Sequence, residues 1–286
     1  MAEIRTQALS IQNTEGVNDY LAVEYGKVID NVASLATSNL IKNTDLSGDP
    51  TAGSVVARRF VNAERAAYGT ARAAGKGKNV KAGTVIVPIN KHWEYIEEIE
   101  EADVRFYGVE NILNRRLANI QRKAVKDLDR DFYTVMAEAG SEFVGTETDI
   151  LLRVNKAVAQ LKNTHNEFVD GVDGDLISII ANPFVYDEIR TKLQALPSYP
   201  GLTTQASVGN YHNSKLIEST ELPAGVDFIV QVDGSVALPA HFTAQDFEKI
   251  PLSKAYSFGL FLDCGCVEVT PDLILVAKAV SGASED

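Results

Sequence analysis

The sequence predicts an α+β protein organised around one unusually long helix. Three observations lead to this prediction. Apolar residues recur every three or four positions from 109 to 139, which is the period of one helix face. Strand-like runs flank a glycine-rich stretch before that helix, and residues 149–266 alternate between helix-like and strand-like patterns. No repeat of fixed period stands out, so the pattern favours a mixed α+β body.

The composition is that of a globular chain with an excess of acid. Its 286 residues are 45% hydrophobic and 23% charged, enough for one large domain or two smaller ones. The net charge of −12 argues against a dedicated nucleic-acid binder, because phosphate contacts need clustered cations. Neither a signal-peptide core nor an apolar stretch of ~18 residues is present. We therefore expect a soluble protein, made in a reducing cytoplasm, with no membrane partner.

Residues 1–54 predict an N-terminal arm that carries one amphipathic helix. The helix is indicated by a stripe with steps of four, three, four and three: Leu21, Tyr25, Val28, Val32 and Leu35. The arm ends in the loop-like run NTDLSGDPTAGS. From the sequence, this helix docks either on its own domain or on another subunit.

Residues 55–91 predict a long, basic, two-stranded excursion from the body of the protein. The flanking pieces SVVARRFV and TVIVPINKHWEYIEEI are rich in β-branched and aromatic residues. The stretch between them, GTARAAGKGKNVKAG, has almost no large apolar side chain to bury, so we expect an extended loop. Its only acid is Glu64, against eight cations: Arg58, Arg59, Arg65, Arg72, Lys76, Lys78, Lys81 and Lys91.

An acidic run follows directly in HWEYIEEIEEAD. It contains no Lys or Arg but six acids: Glu94, Glu97, Glu98, Glu100, Glu101 and Asp103. The plain interpretation of the two runs is a pair of solvated faces. The sharper hypothesis is that the basic loop of one copy lies over the acidic patch of the next, where complementary charge fixes the register of the contact.

The clearest helix covers residues 109–139. Its apolar stripe is Leu113, Leu117, Ile120, Ala124, Leu128, Phe132, Val135 and Ala139, and Gly140 is expected to end it. A helix of this length is a rod roughly 45 Å long, which needs a long sheet or partner subunits to lie on.

The second half predicts alternating helices and strands. Asp149 or Thr148 is placed to cap a helix that runs through Leu161, and Asn182 to cap one that begins at Pro183. Strands are predicted in DLISIIAN, DFIVQV, YSFGLFLD, CVEVT and the final TPDLILVAKAV.

Catalytic and ligand-binding patterns are missing from the sequence. The stretch from Gly69 to Lys76 has the wrong glycine spacing for a phosphate loop, and Gly77 stands where a hydroxyl is needed. Asp127, Asp129 and Asp131 lie within a helix and lack the glycine of a calcium loop, and Asp170, Asp173 and Asp175 indicate a turn.

The cysteines and histidines add no site. Cys264 and Cys266 are interpreted as buried residues at a strand end, since the four histidines are scattered. His92 could take part in acid–base chemistry, but the sequence contains no nucleophile signature such as G-x-S-x-G for it to activate. We predict no catalytic, cofactor-binding or metal-binding residue, and no enzyme.

The order of these segments resembles the Hong Kong 97-type major capsid protein of tailed bacteriophages. The resemblance lies in an N-terminal arm, a basic loop that closes through VPINKHWEYIEEIEEADV, a long helix soon afterwards, an α+β second domain and a final apolar strand, DLILVAKAV. It covers nearly the whole chain and rests on architecture rather than on a specific motif.

The resemblance implies an assignment of every segment. Residues 1–54 would be the N-arm, 55–91 the E-loop, 92–148 with 267–286 the peripheral domain, and 149–266 the axial domain. Axial domains in that family meet at hexamer and pentamer centres, and E-loops reach over neighbouring subunits. The residues expected at contacts between subunits are Arg58, Arg59, Arg65, Arg72, Lys76, Lys78, Lys81, Glu94, Glu97, Glu98, Glu100 and Glu101.

The resemblance also implies a setting. The protein would be made in a host bacterium and located in the virion, as an icosahedral shell around DNA that it does not bind sequence-specifically. A separate scaffolding protein and a portal would be its partners, because the arm is too short to be a scaffold. No covalent crosslink through Lys76, Lys78 or Lys81 is predicted.

Three alternatives stay open. An encapsulin, a bacterial compartment shell of the same fold, would hold cargo enzymes; its E-loop tends to be shorter and its N-terminal segment more helical. A nucleic-acid-binding protein could use the basic loop, although that loop has only Phe60 and Tyr68 to stack on bases. An unrecognised hydrolase is the third, without an organised site to support it.

Overall fold

The computed structural model describes residues 14–63, 67–68, 82–145, 147–194, 209–211 and 213–279. Its helices are α1 (Thr14–Leu35), α2 (Ser38–Ile41), α3 (Glu101–Tyr107), α4 (Val109–Ala139), α5 (Ile150–Lys162) and α6 (Pro183–Gln194). Its strands are β1 (Leu46–Ser47), β2 (Ser54–Phe60), β3 (Ala82–Pro88), β4 (Lys91–Glu100), β5 (Ser141–Glu142), β6 (Ile177–Ala181), β7 (Asn210–Tyr211), β8 (Ser214–Glu218), β9 (Val226–Val232), β10 (Val236–Ala237), β11 (Ala240–Lys249), β12 (Ala255–Cys264), β13 (Val267–Glu268) and β14 (Ile274–Lys278).

The long helix α4 is confirmed with the predicted limits. Most of its apolar stripe is fully buried, but near the C-terminal end the buried face shifts from Val135 and Ala139 to Tyr133 and Met136. The helix ends at Gly140, whose amide donates to the carbonyl of Met136 at 2.9 Å. A Cβ at Gly140 would lie only 2.7 Å from the side chains of Ile274 and Val276, so strand β14 leaves room for glycine alone at this position.

Strands β4, β11 and β12 form an antiparallel sheet in the order β11-β12-β4 that packs on α4. The β12–β4 pairing is continuous over ten residue pairs, from Lys91 opposite Cys264 to Glu100 opposite Ala255. The β11–β12 pairing contains a bulge between Gln245 and Glu248. One edge strand of this sheet, β11, is therefore irregular, and the other, β4, keeps a continuous register.

The second body is a six-stranded sheet in the order β5-β14-β9-β6-β8-β7, packed with α5 and α6. Both predicted helix caps are confirmed. The carboxylate of Asp149 accepts from the amide of Leu151 at 2.9 Å, and Asn182 Oδ1 accepts from the amide of Val185 at 2.8 Å. The remaining strands form a three-stranded sheet, β1-β2-β3, and a short two-stranded sheet, β10-β13.

Helix α1 docks on its own chain, against α4 and β11, which decides between the two possibilities that the sequence left open. Val17, Leu21, Tyr25, Val28 and Val32 are its buried residues. The predicted Leu35 is instead 57% exposed, because the helix ends there and the chain turns into α2.

Two sheets join strands that the sequence assigned to different segments. Residues 240–264, assigned to the axial segment, pair with β4 and cover α4. The final strand β14, assigned to the peripheral segment, lies between β5 and β9 in the six-stranded sheet. Alternation of side chains identifies a strand but not its neighbours, because sheet partners are far apart in sequence.

Candidate assembly interface

The base of the β2–β3 hairpin is attached to the body through one face. The strands pair in continuous register from Ser54 opposite Pro88 to Phe60 opposite Ala82. Val55, Ala57 and Val87 are buried in a small cluster with Ala237 and Val269. Since side chains alternate along each strand, the other face is left outward.

The outward face combines apolar and basic groups. Phe60 is 50% and Ile86 63% exposed, and Arg58 between them is also exposed. Val56 stands opposite Ile86, and Arg58 stands opposite Thr84. Exposed apolar side chains beside a cation on an extended hairpin are typical of a surface that meets a partner.

Arg59, one of the residues expected at contacts between subunits, has partners within its own chain. Its guanidinium donates to Asp272 Oδ2 at 2.7 Å and lies 3.9 Å from the ring centre of Phe168. Asn166 Nδ2 donates to the same carboxylate oxygen at 2.5 Å. Burial alone would raise the pKa of Asp272, but the hydrogen bond and charge of Arg59 outweigh it and lower that pKa. Arg59 thus fixes the hairpin base to the turn before β14.

The other predicted cations of the loop, Arg65, Arg72, Lys76, Lys78 and Lys81, lie outside the described residues. So do Gly69 to Gly77, the segment considered as a phosphate loop.

Strand β4 separates its acids onto two faces. The even-numbered residues Glu94, Ile96, Glu98 and Glu100 are exposed on the outward face of the sheet. In the described part of the chain, no ion pair is found for these three glutamates. They form, with Ile96, the acidic stripe. Glu101 follows at the start of α3 and is half-buried.

Glu97 faces the opposite way and does not belong to the acidic stripe. Its two carboxylate oxygens accept from Arg116 Nε at 2.5 Å and Nη2 at 2.6 Å, a bidentate pair. The hydrogen bond to Glu97 raises the pKa of Arg116. Glu97 therefore has a cation from its own chain, because α4 passes beneath β4.

A cleft of about 440 Å³ opens between β4 and α4. Trp93, the only tryptophan of the chain, is 48% exposed beside it. Tyr95 OH donates to Asp127 Oδ2 at 3.1 Å across its floor, and burial raises the pKa of that phenol. Lys123 and Arg130 pair with Asp127 along the wall, so the cleft carries both charges.

The groups considered for catalysis or metal binding have structural roles. Asp127, Asp129 and Asp131 contact different partners: Lys123, the backbone of Ser38, and Lys91. Cys264 is buried, Cys266 is half-buried, and both are free thiols. His92 Nδ1 lies 2.7 Å from Asp263 on the exposed sheet face. Among the described residues, no group of three His, Cys, Asp or Glu could hold a metal ion, and no helix is long and apolar enough to cross a membrane.

Two features of this surface escaped the sequence analysis. Ile86 and Ile96 are exposed apolar residues on strands that follow one another in the chain, and neither was singled out. In HWEYIEEIE, Glu94, Glu98 and Glu100 fall at even positions and Tyr95 and Ile99 at odd positions. This period of two was a signal for the two faces of β4. No signal in the sequence indicated that Ile86 faces outward, because the run TVIV does not alternate between polar and apolar residues.

Comparison with solved structures identifies the fold. The chain is similar to a protein of Mycobacterium phage Che8, with 16% identity and a TM-score of 0.60 over 84% of this chain and 89% of that one. It is also similar to the capsid of Ralstonia phage GP4, with 12% identity and a TM-score of 0.57 over 85% and 87% of the chains. It is also similar to a virus-like particle from Pyrococcus furiosus, with 12% identity and a TM-score of 0.58 over 88% of this chain and 96% of that one.

No family model and no curated protein matches the sequence. The structural matches extend over more than four fifths of both chains in each of these comparisons, so they concern the whole architecture and not one sheet. The chain therefore has the Hong Kong 97-type fold, as the order of its segments predicted.

Proposed function

We propose that the chain is the major capsid protein of a tailed bacteriophage, a structural subunit that assembles with copies of itself into an icosahedral shell. The observation that carries the proposal is the match of nearly the whole architecture to phage capsids. In this proposal the subunits form hexamers and pentamers in the virion, around DNA that they do not read. A separate scaffolding protein and a portal would complete the assembly in the host cytoplasm.

The role is geometrical, and no bond is made or broken. Many modest, repeated contacts add up across a closed shell, so that each can be weak while the whole persists. The structure supports this role with α4, a helix of 31 residues that is buried along one side, and with a hairpin whose outward face is partly apolar. Both features serve a subunit that is surrounded by neighbours.

The sheet partners suggest a revised assignment of segments within this proposal. The peripheral part would comprise 92–139 with 240–264, and the axial part would comprise 149–239 with the final strand. Residues 55–91 remain the proposed E-loop and 1–54 the N-arm.

Charge complementarity between neighbours is the proposed contact. Arg58 and the cations from 65 to 81 of one copy would meet the acidic stripe of the next. Arg59 and Glu97 are left out, because each already pairs within its own chain. Contacts of this kind set register and encounter rate more than affinity.

A compartment shell is the second candidate, and α1 is the observation that favours it. The N-terminal segment forms a 22-residue helix packed on α4 and β11, and a more helical N-terminal segment was the feature expected of an encapsulin. The match to the Pyrococcus furiosus particle is consistent with either candidate, since it concerns the shared fold.

Sedimentation followed by negative-stain electron microscopy tests both candidates. Closed shells, or rings of five and six, support a shell protein, and nucleic acid or cargo protein inside them distinguishes phage from compartment. A chain that stays monomeric at high concentration and with its scaffold contradicts both. Tight, salt-sensitive DNA binding by soluble subunits would instead favour the nucleic-acid-binding alternative.

The basic loop is tested by the variant Arg58→Gln/Arg65→Gln/Arg72→Gln. We expect a folded subunit whose assembly is impaired. Normal shells from the triple variant would contradict a role for these cations between subunits. The matched control is Arg122→Gln, which removes an arginine from α4, outside the loop.

A further inference from the structure

Two sheet edges among the described strands are long and regular. The edge strands β1, β5 and β7 have two residues each, and strands that short offer little backbone to a partner. The edge strand β11 is interrupted by its bulge, where Asn18 Oδ1 of α1 accepts from the amide of Phe247 at 2.7 Å. Short strands, bulges and covering elements are the usual protection of edges. As far as the chain is described, β3 and β4 are neither short, nor bulged, nor covered by another element.

The β4 edge is the longer of the two. Its ten residues pair with β12 without a register shift, and no proline interrupts them. Within the described chain the other side of β4 pairs with no strand. The backbone amides and carbonyls on that side are therefore available to an added strand.

The β3 edge has the opposite character. Its seven residues carry no charge, and they pair in continuous register with β2 on one side only, as far as the structure describes the chain. The sequence TVIV within it is of the type that favours strand formation. A solitary subunit would leave an uncharged, apolar edge exposed, which is an aggregation hazard unless a partner covers it.

We propose that β3 of one copy adds as a strand to the β4 edge of the next copy. This inference rests on the proposed function and specifies how neighbouring subunits would meet. The contact joins two different surfaces of the same chain, so each copy both gives and receives a strand. Head-to-tail contacts of this kind close into rings when the rotation permits.

The side chains of the two edges are compatible when Ile86 lies opposite Ile96. Both are exposed apolar residues, at 63% and 39%, and directly opposed residues share a face of the sheet. An antiparallel arrangement then places Thr84 opposite Glu98, and a parallel one places it opposite Glu94. Arg58 is paired opposite Thr84 in the hairpin and shares its face of the sheet. In either arrangement the short side chain of Thr84 therefore lies between Arg58 and the glutamate, so the guanidinium can extend over Thr84 toward that carboxylate.

The same charges oppose one competing arrangement, the pairing of two β4 edges. Two β4 edges would bring their acidic stripes together, and like charges directly opposed destabilise a sheet. The β3 edge has no charge of its own, and its neighbour Arg58 supplies the opposite sign. The β4 edge therefore selects β3 over a second β4 for two reasons: two acidic stripes repel each other, and Arg58 attracts the acidic stripe.

Cysteine crosslinking in assembled particles tests this pairing. The double variant Ile86→Cys/Ile96→Cys, assembled and then mildly oxidised, is expected to give a ladder of linked chains on a non-reducing denaturing gel. Each single variant should stay monomeric on the gel, and the native chain reports any background from Cys264 and Cys266. The matched control Ile86→Cys/Leu152→Cys replaces Leu152, a residue of α5 that is 51% exposed, and should give no ladder.

Two further double variants test a register in which Ile86 lies two residues away, opposite Glu94 or Glu98. They combine Ile86→Cys with Glu94→Cys or with Glu98→Cys. Shells that form normally but link in none of the three combinations would overturn the strand addition and leave the proposed function standing. Linked dimers from Ile96→Cys alone would overturn it in favour of β4 pairing with itself. If the native chain forms neither shells nor rings, the proposed function fails together with this inference.

Discussion

The hydroxyl of Tyr25 accepts a hydrogen bond from the backbone amide of Gly259 at 2.9 Å. The same hydroxyl donates to the carbonyl of Gln245 at 3.1 Å. Gly259 and Gln245 are partners in the β11–β12 ladder, at the last pair before the bulge. One phenol from α1 therefore occupies the place where the ladder opens, and it fixes the N-terminal helix to the β11-β12-β4 sheet.

Tyr25→Phe should lower the free energy of unfolding by about 1–3 kcal/mol, because it leaves buried backbone groups without their partner. Urea unfolding followed by circular dichroism measures the change. Tyr20→Phe is the control, since Tyr20 bonds to Asn114 at an exposed site and should cost little. Equal losses of unfolding free energy in both variants would mean that the hydrogen bonds of Tyr25 to Gly259 and Gln245 stabilise the fold no more than the exposed bond of Tyr20 does.

Asp129→Ala should detach the junction of α1 and α2 from α4. The buried carboxylate accepts from Thr37 Oγ1 at 2.9 Å and from the amide of Ser38 at 2.9 Å. We expect a loss of about 1–3 kcal/mol from the unpaired donors. Hydrogen exchange should speed up at residues 36–41. Asp30→Ala, on the exposed face of α1, serves as the control and should leave exchange at 36–41 unchanged.

Gly259→Ala should prevent normal folding of the sheet. A Cβ at this position would lie 2.2 Å from the carbonyl oxygen of Tyr95 and 2.8 Å from Cα of Ile96, which are backbone atoms that cannot turn aside. Gly83→Ala is the control, because its Cβ would meet nothing nearer than 3.8 Å. The measurement is the yield of folded monomer on gel filtration, and a normal yield for Gly259→Ala would contradict the close approach of β4 and β12.

Arg59→Ala and Arg58→Ala should have different effects although the residues are adjacent. Loss of Arg59 breaks the pair with Asp272, so amide exchange at residues 54–60 should accelerate in the monomer. Loss of Arg58 should leave that exchange unchanged and reduce assembly. Accelerated exchange in the Arg58 variant would show that the hairpin base depends on both.

Alkaline pH should destabilise the fold through buried groups. Burial, followed by the nearby Asp131, raises the pKa of the Cys264 thiol to about 11. Burial raises the pKa of Tyr25 to about 12. In the unfolded chain these groups ionise at lower pH, so the unfolded state loses protons first and stability falls as pH rises from about 9 through about 12.

Urea midpoints at about pH 8 and about pH 10.5 measure this dependence. Cys264→Ala should reduce the drop between the two, since it removes one of the groups that titrate. A drop identical to that of the native chain would exclude Cys264 as a contributor.

Local patterns were sufficient wherever one segment determines its own structure. The apolar stripe of α4, the caps Asp149 and Asn182, and the stop at Gly140 are all set within a few residues, by helix period and by the need to satisfy terminal amides. Of the strands with five or more residues, β8 and β11 escaped prediction, because SKLIE and AHFTAQDFEK mix polar and apolar residues without a clear run. The two-residue strands β1, β5, β7 and β10 escaped as well.

The sequence by itself determined the fold class, the order of the main segments, the long helix and the separation of a basic loop from an acidic strand. Only the tertiary structure decided which strands share a sheet, that α1 folds back on its own chain, and that Arg59 and Glu97 pair internally with Asp272 and Arg116. The physical reason is distance along the chain. Helix period and charge density are properties of neighbouring residues, whereas sheet order and ion pairing bring together residues as much as 213 positions apart.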